Sequence, residues 1–390
     1  MKIERLTVVD ALRGFAIASI LLLHNLEHFD FYYTPANIPL WLQSVDKGIW
    51  DAMFFLFSGK SFAIFALLFG LTYFIQSNNQ QLKGQQFAGR FAWRMTLLIG
   101  FGFVNSAFFQ GDILMIYAVI GLLLIPLSKL NQKAVLMVAI LLLLQPLEFV
   151  HLIYAWQNPG LSVEDPASWA YFGKMGEYIT NNSLWDTWVG NLTNGKIAVL
   201  LWNYENGRFF QILALFLLGM LLGKRGAFSS SVQHKLFWQK VLILAALLFI
   251  PLYLIQKNLE QIISIPAVYQ SVNIIISSWA NLSFMFVLVS GFWLLYQIKP
   301  LASILGVFSA MGKMSMTNYI MQSIIGACIY YGFGLGLYKY TSPTFSFAIG
   351  LVLLMLTSWF CRYWAQTHRF GPLEGIWHHL TWIGSEKSKS

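Results

Sequence analysis

The sequence predicts an all-α, polytopic integral membrane protein, a bundle of about ten transmembrane helices, and three observations carry that expectation. Hydrophobic residues make up 57% of the 390 and charged residues only 11%, against about a quarter charged in soluble domains. Apolar runs near the ~20 residues that a bilayer crossing needs recur along the whole chain. The basic residues then sort by side. With the N-terminus in the cytoplasm, all of the 25 Lys and Arg except Lys47, Lys60, Lys174, Lys196, Arg208, Lys257 and Lys339 fall in inside segments, so both termini are expected to be cytoplasmic. Most of the formal charge of +9 is thereby topology, and nucleic acid is not an expected partner.

In chain order the spans are expected at 12–30, 52–76, 94–110, 113–130, 134–155, 207–223, 237–255, 272–296, 315–336 and 344–366. Asp10 and Arg13 interrupt the first run and no small-residue cleavage site follows, so this span is expected to stay as an anchor. In the second, Ser58, Gly59, Lys60 and Ser61 break the run, which predicts a short interfacial helix ending at Gly59 and a span from Lys60. The Lys60 side chain either snorkels or approaches His24. Gly111 and Asp112 predict a tight turn ahead of Tyr117. The stretch 156–206, rich in Asn, Trp, Asp and Gly, is expected to be a long extracytoplasmic loop between helices 1–155 and 207–390 of one domain. Cys328 and Cys361 lie in apolar runs, which implies neither a disulfide nor a Cys metal site.

Polar groups inside spans are expensive, so their clustering points to candidate chemistry. His24 follows Arg13 by eleven residues, about three helical turns or about 16 Å, which places Asp10, Arg13, His24 and His28 near one helical face beside Asn25, Glu27 and Asp30. An anchoring Arg13 and a helix-packing His24 explain the pair equally well. Ser315, Asn318 and Gln322 share a face at i, i+3 and i+7, as helix-to-helix hydrogen bonding also requires. His24 and His28 sit at i, i+4, but HNLEH lacks the Glu of an HExxH helix and no metal is expected.

Six ordered segments, the DALRG start, GKSFAIFALLFG, RMTLLIGFGFVNSAFFQGDILMIYA, LFLLGMLLGKRG, MGKMSMTNYIMQSIIG and HRFGPLEGIWHHLT, resemble the YeiB-like membrane proteins called domain of unknown function 418. That family resembles heparan-alpha-glucosaminide N-acetyltransferase and, more distantly, the acyltransferase-3 membrane enzymes, which move acyl groups from cytoplasmic donors to extracytoplasmic sugars. YeiB-like proteins usually have Asn where this chain has His24, and the acyltransferase-3 group has its catalytic His there; Asn25 follows immediately. The family's His in the FGFVNS segment is Asn105 here, and the tail pattern GPLEW…WR has Gly375 and His378 in place of Trp and Arg.

The resemblance implies a membrane acyltransferase of the cytoplasmic membrane using acetyl-CoA or another acyl-CoA. Arg13, Arg90, Arg94, Lys313 or Arg369 would hold the donor phosphates. His24 would act as general base or transient acyl carrier, with Asn25, Lys60 or Asn318 donating to the oxyanion and His28 close by. Asp10, Asp112, Tyr117 and Gln322 would support the site. The expected partners are the bilayer, acyl-CoA and an extracytoplasmic sugar or other small acceptor, with self-association left open. A transporter using Arg13, His24, Glu27, Asp112 and Lys60 as a polar path is the competing class, against which stand the absence of an inverted repeat and of paired broken helices in the sequence. A scaffold that kept the fold and lost the chemistry is the third. Cysteine accessibility tests the orientation: labels at 156–206 should react from outside the cell, and a label near Arg90 or Lys235 that reacts from outside would overturn it.

Overall fold

The computed structural model describes residues 6–383, and their regular structure is entirely helical. Lys2, Arg5, Lys387 and Lys389, counted above with the inside charges, lie outside the described residues. The first half runs through α1 (Thr7–Leu26), α2 (Leu40–Phe57), α3 (Ser61–Gln81), α4 (Ala88–Phe108), α5 (Leu114–Leu122), α6 (Leu124–Leu127), α7 (Gln132–Leu143) and α8 (Pro146–Gln157). Short helices follow: α9 (Ala167–Phe172), α10 (Met175–Ile179), α11 (Leu184–Gly190) and, after a π turn at Asn191–Gly195, α12 (Lys196–Glu205). The second half holds α13 (Arg208–Lys224), α14 (Val232–Lys257), α15 (Leu259–Ile262), α16 (Pro266–Tyr296), α17 (Lys299–Leu305), α18 (Phe308–Lys313), α19 (Ser315–Tyr330), α20 (Pro343–Thr367) and α21 (Pro372–Thr381).

Among the described residues, α1, the α2–α3 pair, α4, α14, α16 and α20 are six segments long and apolar enough to cross a membrane. Two bent pairs, α7 with α8 (40°) and α11–α12 with α13 (71°), bring the number to eight. The chain is a multi-pass membrane protein of six to eight such spans. Two of the ten expected runs fall short of a crossing for local reasons. The 113–130 run divides at Leu123 into α5 and α6, and the 315–336 run ends after the 16 residues of α19, where the chain turns extended at Tyr331. The second expected run divides where its sequence breaks, at Gly59, whose φ of +75° turns the chain between α2 and α3.

Helix α1 is the axis of the molecule, packed against α18, α20, α3 and α19. Small residues make its closest contact. A Cβ added to Gly14 would lie 1.9 Å from the Phe308 carbonyl oxygen, and one added to Gly312 would lie 1.8 Å from that of Asp10. Gly70 of α3 and Gly219 of α13 meet the Phe216 and Leu67 carbonyls in the same way, at 1.9 and 1.8 Å. Between spans, where water supplies no hydrophobic drive, such backbone-to-backbone approach is a main source of cohesion. Helices α14 and α20 instead expose Leu247, Ile250, Met355 and Leu356, as lipid-facing helices do.

The 156–206 stretch is mostly helical, where a loop was expected. Its Met175, Tyr178 and Ile179 form a small core with Phe29, Phe109, Tyr330 and Tyr331 at the C-terminal end of α1, and Gly332 N–H donates to the Ile179 carbonyl at 2.9 Å. It therefore covers that end of the bundle. Replacing Gly312 with Leu should lower the melting temperature of the detergent-solubilised protein by the equivalent of ~3 kcal/mol, the upper end of overpacking costs, because the obstacle is backbone. Gly291→Leu, at a position with nothing within 4 Å of an added Cβ, should leave it nearly unchanged; equal effects would contradict the packing described.

Candidate functional site

The two ends of α1 carry different chemistry. At the Arg13 end a cavity of about 190 Å³ is lined by Arg13, Arg94 and Lys313, with Thr72, Tyr73 and Gln76 beside them and Phe65, Phe69, Tyr117 and Tyr319 deeper in. The glycine contact of α1 with α18 sets this mouth, because Arg13 adjoins Gly14 and Lys313 adjoins Gly312. Arg13 donates to Asp10 Oδ1 at 3.2 Å and to Thr72 Oγ1 at 2.8 Å, so Asp10 orients it.

The tail helix α21 closes the mouth. Glu374 and Trp377 line the cavity. Glu374 Oε1 accepts from the backbone N–H groups of Met316 (2.7 Å) and Thr317 (3.1 Å), and Oε2 accepts from Thr317 Oγ1 (2.6 Å). A carboxylate is thus supplied to the positive N-terminus of α19. Trp377 Nε1 donates to the Arg94 carbonyl (3.3 Å) while the Arg94 guanidinium lies 4.1 Å from the Trp377 ring centroid. Arg90 does not line the cavity; it donates to the Thr381 carbonyl (2.9 Å) and lies over Trp382. Arg369 lies over Phe370, and its charge, with that of Arg94, adds to burial in pushing the His378 imidazole below its ordinary value.

At the other end the expected helix 12–30 stops at Leu26. The chain then turns back through three successive left-handed residues, His28 (φ 46°), Phe29 (57°) and Asp30 (68°). This separates the residues that one continuous helix would have aligned. His28 Nε2 contacts Ser346 Oγ (2.8 Å) and Thr341 Oγ1 (3.1 Å), and burial lowers its pKa to about 4, so it is neutral at physiological pH. Asn25 donates to the Leu21 carbonyl and accepts from Tyr330 OH at 3.0 Å. Both are tied to α19 and the start of α20, leaving neither free to serve His24.

The partners of His24 are Glu27, whose Oε2 lies 3.4 Å from Nδ1, the edge of Phe109 (centroids 4.5 Å) and Asp30. One ligand atom from each of His24, Glu27 and Asp30 falls within 4.8 Å of the others, so a divalent cation would find one nitrogen and two carboxylates there. Nδ1 makes no hydrogen bond among the described residues, and Glu27 is its carboxylate neighbour. Tyr32 OH donates to the other Glu27 oxygen at 2.9 Å. Burial, then the Glu27 charge, raises Asp30 to about 7, while His24 and Arg208 oppose the rise.

Other expected site residues are spent elsewhere. Lys60 is buried with Nζ 6.0 and 5.7 Å from the Phe55 and Phe284 ring centroids, so it brings no donor to His24. Asp112 holds Lys196 (3.6 Å) and accepts from Asn105 Nδ2 (3.0 Å) and the Met115 N–H, a buried pair that ties the α4–α5 turn to α12. Asn318 contacts the Met311 carbonyl and Cys361 Sγ. Gln322 is buried with no partner for either amide atom among the described residues. Tyr117 donates to the Phe62 carbonyl at 2.7 Å and lines the cavity floor.

The residues that sequence reasoning missed form a second, polar cleft of about 100 Å³ near the break between α12 and α13. It is lined by Arg208, Asn206 and Gln211 and by Asn273, Ser277, Ser278 and Asn281 of α16. Ser278 Oγ accepts from Gln145, at the α7–α8 bend, and from Gln211. Both broken helices therefore meet one serine. Their presence removes the sequence argument that no paired broken helices exist.

The architecture is that of a multi-pass helical membrane protein with a cationic cavity and an amide-lined cleft. Residues 222–384 match the family model "Protein of unknown function (DUF418)". The chain is 27% identical to uncharacterized protein YxaH of Bacillus subtilis (strain 168), over 97% of this chain and 95% of that protein. It is 25% identical to uncharacterized protein YeiB of Escherichia coli (strain K12), over 97% and 96%. The uncharacterized 39.9 kDa protein in the amylase 3' region of Bacillus acidopullulyticus is 24% identical over 97% and 94%. The chain is thus similar over nearly its whole length to the uncharacterized YxaH and YeiB proteins, and its residues 222–384 carry the DUF418 match. No solved structure matches it significantly.

The Asp30 carboxyl generates a pH prediction. Its folded-state pKa lies above the ordinary carboxylate value, so its stabilising contribution is complete in acid and is lost as pH rises through about 7. The melting temperature of the unmodified protein should fall from pH 5.5 to 8.5 relative to that of Asp30→Asn; parallel profiles would show that Asp30 is not held in its neutral form.

Proposed function

We propose that the protein transfers an acyl group, acetyl in the simplest case, from acyl-CoA at a cytoplasmic mouth to a hydroxyl or amine acceptor on the outer side of the cytoplasmic membrane. The observation that carries this reading is the convergence of Arg13, Arg94 and Lys313 on one cavity whose aromatic floor includes Tyr117 and Tyr319. Three cations over an apolar channel match a polyanionic head followed by a slender arm. The cavity is smaller than the whole cofactor, so the nucleotide stays at the mouth, and α21 swings aside to admit the arm. Arg90 and Arg369 hold that tail region and act on the donor only through it.

His24 is the general base in this account. Its Nε2 takes the acceptor proton as the acceptor oxygen or nitrogen bonds to the thioester carbonyl carbon. The carbon–sulfur bond then breaks, and the thiolate recovers the proton from the imidazolium. Glu27 stabilises that imidazolium through Nδ1. Arg13→Ala should weaken CoA binding by about tenfold or more in calorimetry on inserted protein, the value of one charge-assisted contact. His24→Ala should keep CoA binding and lose acyl transfer by ~100-fold or more. If wild-type protein binds no CoA at millimolar concentration, the enzyme reading fails.

The transporter reading gains one specific observation, the meeting of two bent helix pairs at Ser278, since broken helices commonly frame transported substrates. Uptake into vesicles that is unaffected by His24→Ala would favour it.

A further inference from the structure

We propose that the cleft at the start of α13 is an oxyanion-binding site anchored by Arg208, accepting the carboxylate or phosphate of a small polar molecule. The Arg208 guanidinium lies 4.0 Å from the Trp202 ring centroid and 4.4 Å from that of Phe62. The two rings hold it in place as a cation, but they take none of its five N–H donors. Among the described residues it forms no hydrogen bond, and no carboxylate lies within the 4.0 Å of an ion pair. Glu27 and Asp30 are its acidic neighbours at longer range. An arginine held against two rings with its donors unspent, lining a cleft, is built to grip a planar or tetrahedral oxyanion.

The walls agree. Amides of Asn206, Gln211, Asn273 and Asn281 and hydroxyls of Ser277 and Ser278 line the cleft. Four of the six lie on α16, a helix long and apolar enough to span the membrane, where polar side chains are costly unless they serve a site. Some of this polarity is internally satisfied: Gln256 donates to Ser277, which donates to Asn273 Oδ1, and Ser278 takes two amide donors. Asn281 has no hydrogen-bond partner among the described residues, and it faces Gly59, where a Cβ would come within 2.8 Å of its Nδ2. Gly59 thus keeps room for the Asn281 amide at the cleft. Helix α13 begins here behind Gly207, which caps it with no side chain, so first-turn N–H groups add to the positive field.

A cation would meet the fixed positive charge of Arg208 beside the Asn281 amide. A neutral sugar would leave Arg208 unmatched. An anionic group uses both, and hydroxyls next to it reach the remaining amides. As the anchor for the acyl acceptor this site rests on the acyl-transfer reading; as an anion site it does not.

Calorimetry on the detergent-solubilised full chain, with D-glucuronate, inorganic phosphate and D-glucose as probes, tests the proposal. Glucuronate or phosphate should bind, the stronger of the two identifying the carboxylate or phosphate source, and D-glucose should bind at least ~10-fold more weakly. Arg208→Gln should cost ~10-fold or more, the value of a charge-assisted contact, with CoA binding unchanged. Should Arg208→Gln fail to fold, Arg208→Lys and Asn281→Ala should each weaken the bound anion several-fold. Equal binding of glucose and glucuronate, unaltered affinity in these variants, or no binding of either anion at millimolar concentration would overturn it. Anion binding without CoA binding would sink the donor reading and leave this site standing; the converse would sink this site alone.

Discussion

The backbone contact between Gly14 and Gly312 is the constraint from which the rest of the arrangement follows. It lets α1 and α18 touch without intervening side chains, and the residues adjoining those glycines, Arg13 and Lys313, arrive at the same mouth. The parallel contact of Gly70 with Gly219's helix holds α3 to α13. That second contact places the Thr72 that receives Arg13 and, at the opposite end of α13, Arg208. Two glycine seams therefore fix both ends of the polar machinery.

Buried charge separates structural from chemical roles. Asp112 is surrounded by Lys196, Asn105 and a backbone N–H, and Asp46 accepts from Ser342 and the Thr344 N–H at the start of α20. Removing one partner from such groups would strand a charge in low dielectric, so they act as fasteners. His24 and Arg208 differ: each has neighbours of complementary character, yet each keeps hydrogen-bonding capacity turned toward open space. Unspent capacity at a half-buried position is what binding or proton transfer draws on.

The span pattern and the basic mouth were legible in the sequence because hydropathy and charge are additive along the chain. Arg13, Arg94 and Lys313 converge although 300 residues separate the first from the last, since Arg13 and Arg94 sit near the N-terminal ends of α1 and α4 and Lys313 at the C-terminal end of α18. The end of α1 was not legible: no Gly or Pro marks Leu26, and His28, Phe29 and Asp30 take left-handed conformations that favour glycine. Missing that turn aligned His28 with His24 and left Asp30 without a role, although Glu27, three residues after His24, was a readable signal for its partner. The amide face of α16 escaped notice because Asn273, Ser277, Ser278 and Asn281 spread across nine residues of a mostly apolar helix. The bends at Gln145 and Gly207, which no hydropathy average records, bring Gln145 and Gln211 to Ser278. The GPLE tail also took its meaning from three dimensions, as the carboxylate that caps α19.

The central claim is that donor and acceptor meet from opposite faces of the membrane. Proteoliposomes of uniform orientation, carrying radiolabelled acetyl-CoA only on the Arg13 side and an acceptor only on the His24 side, test it directly. The account predicts label covalently joined to the acceptor, with free CoA released on the donor side. Label reaching the acceptor side as intact acetyl-CoA or acetate, or transfer only when donor and acceptor share one side, would contradict it.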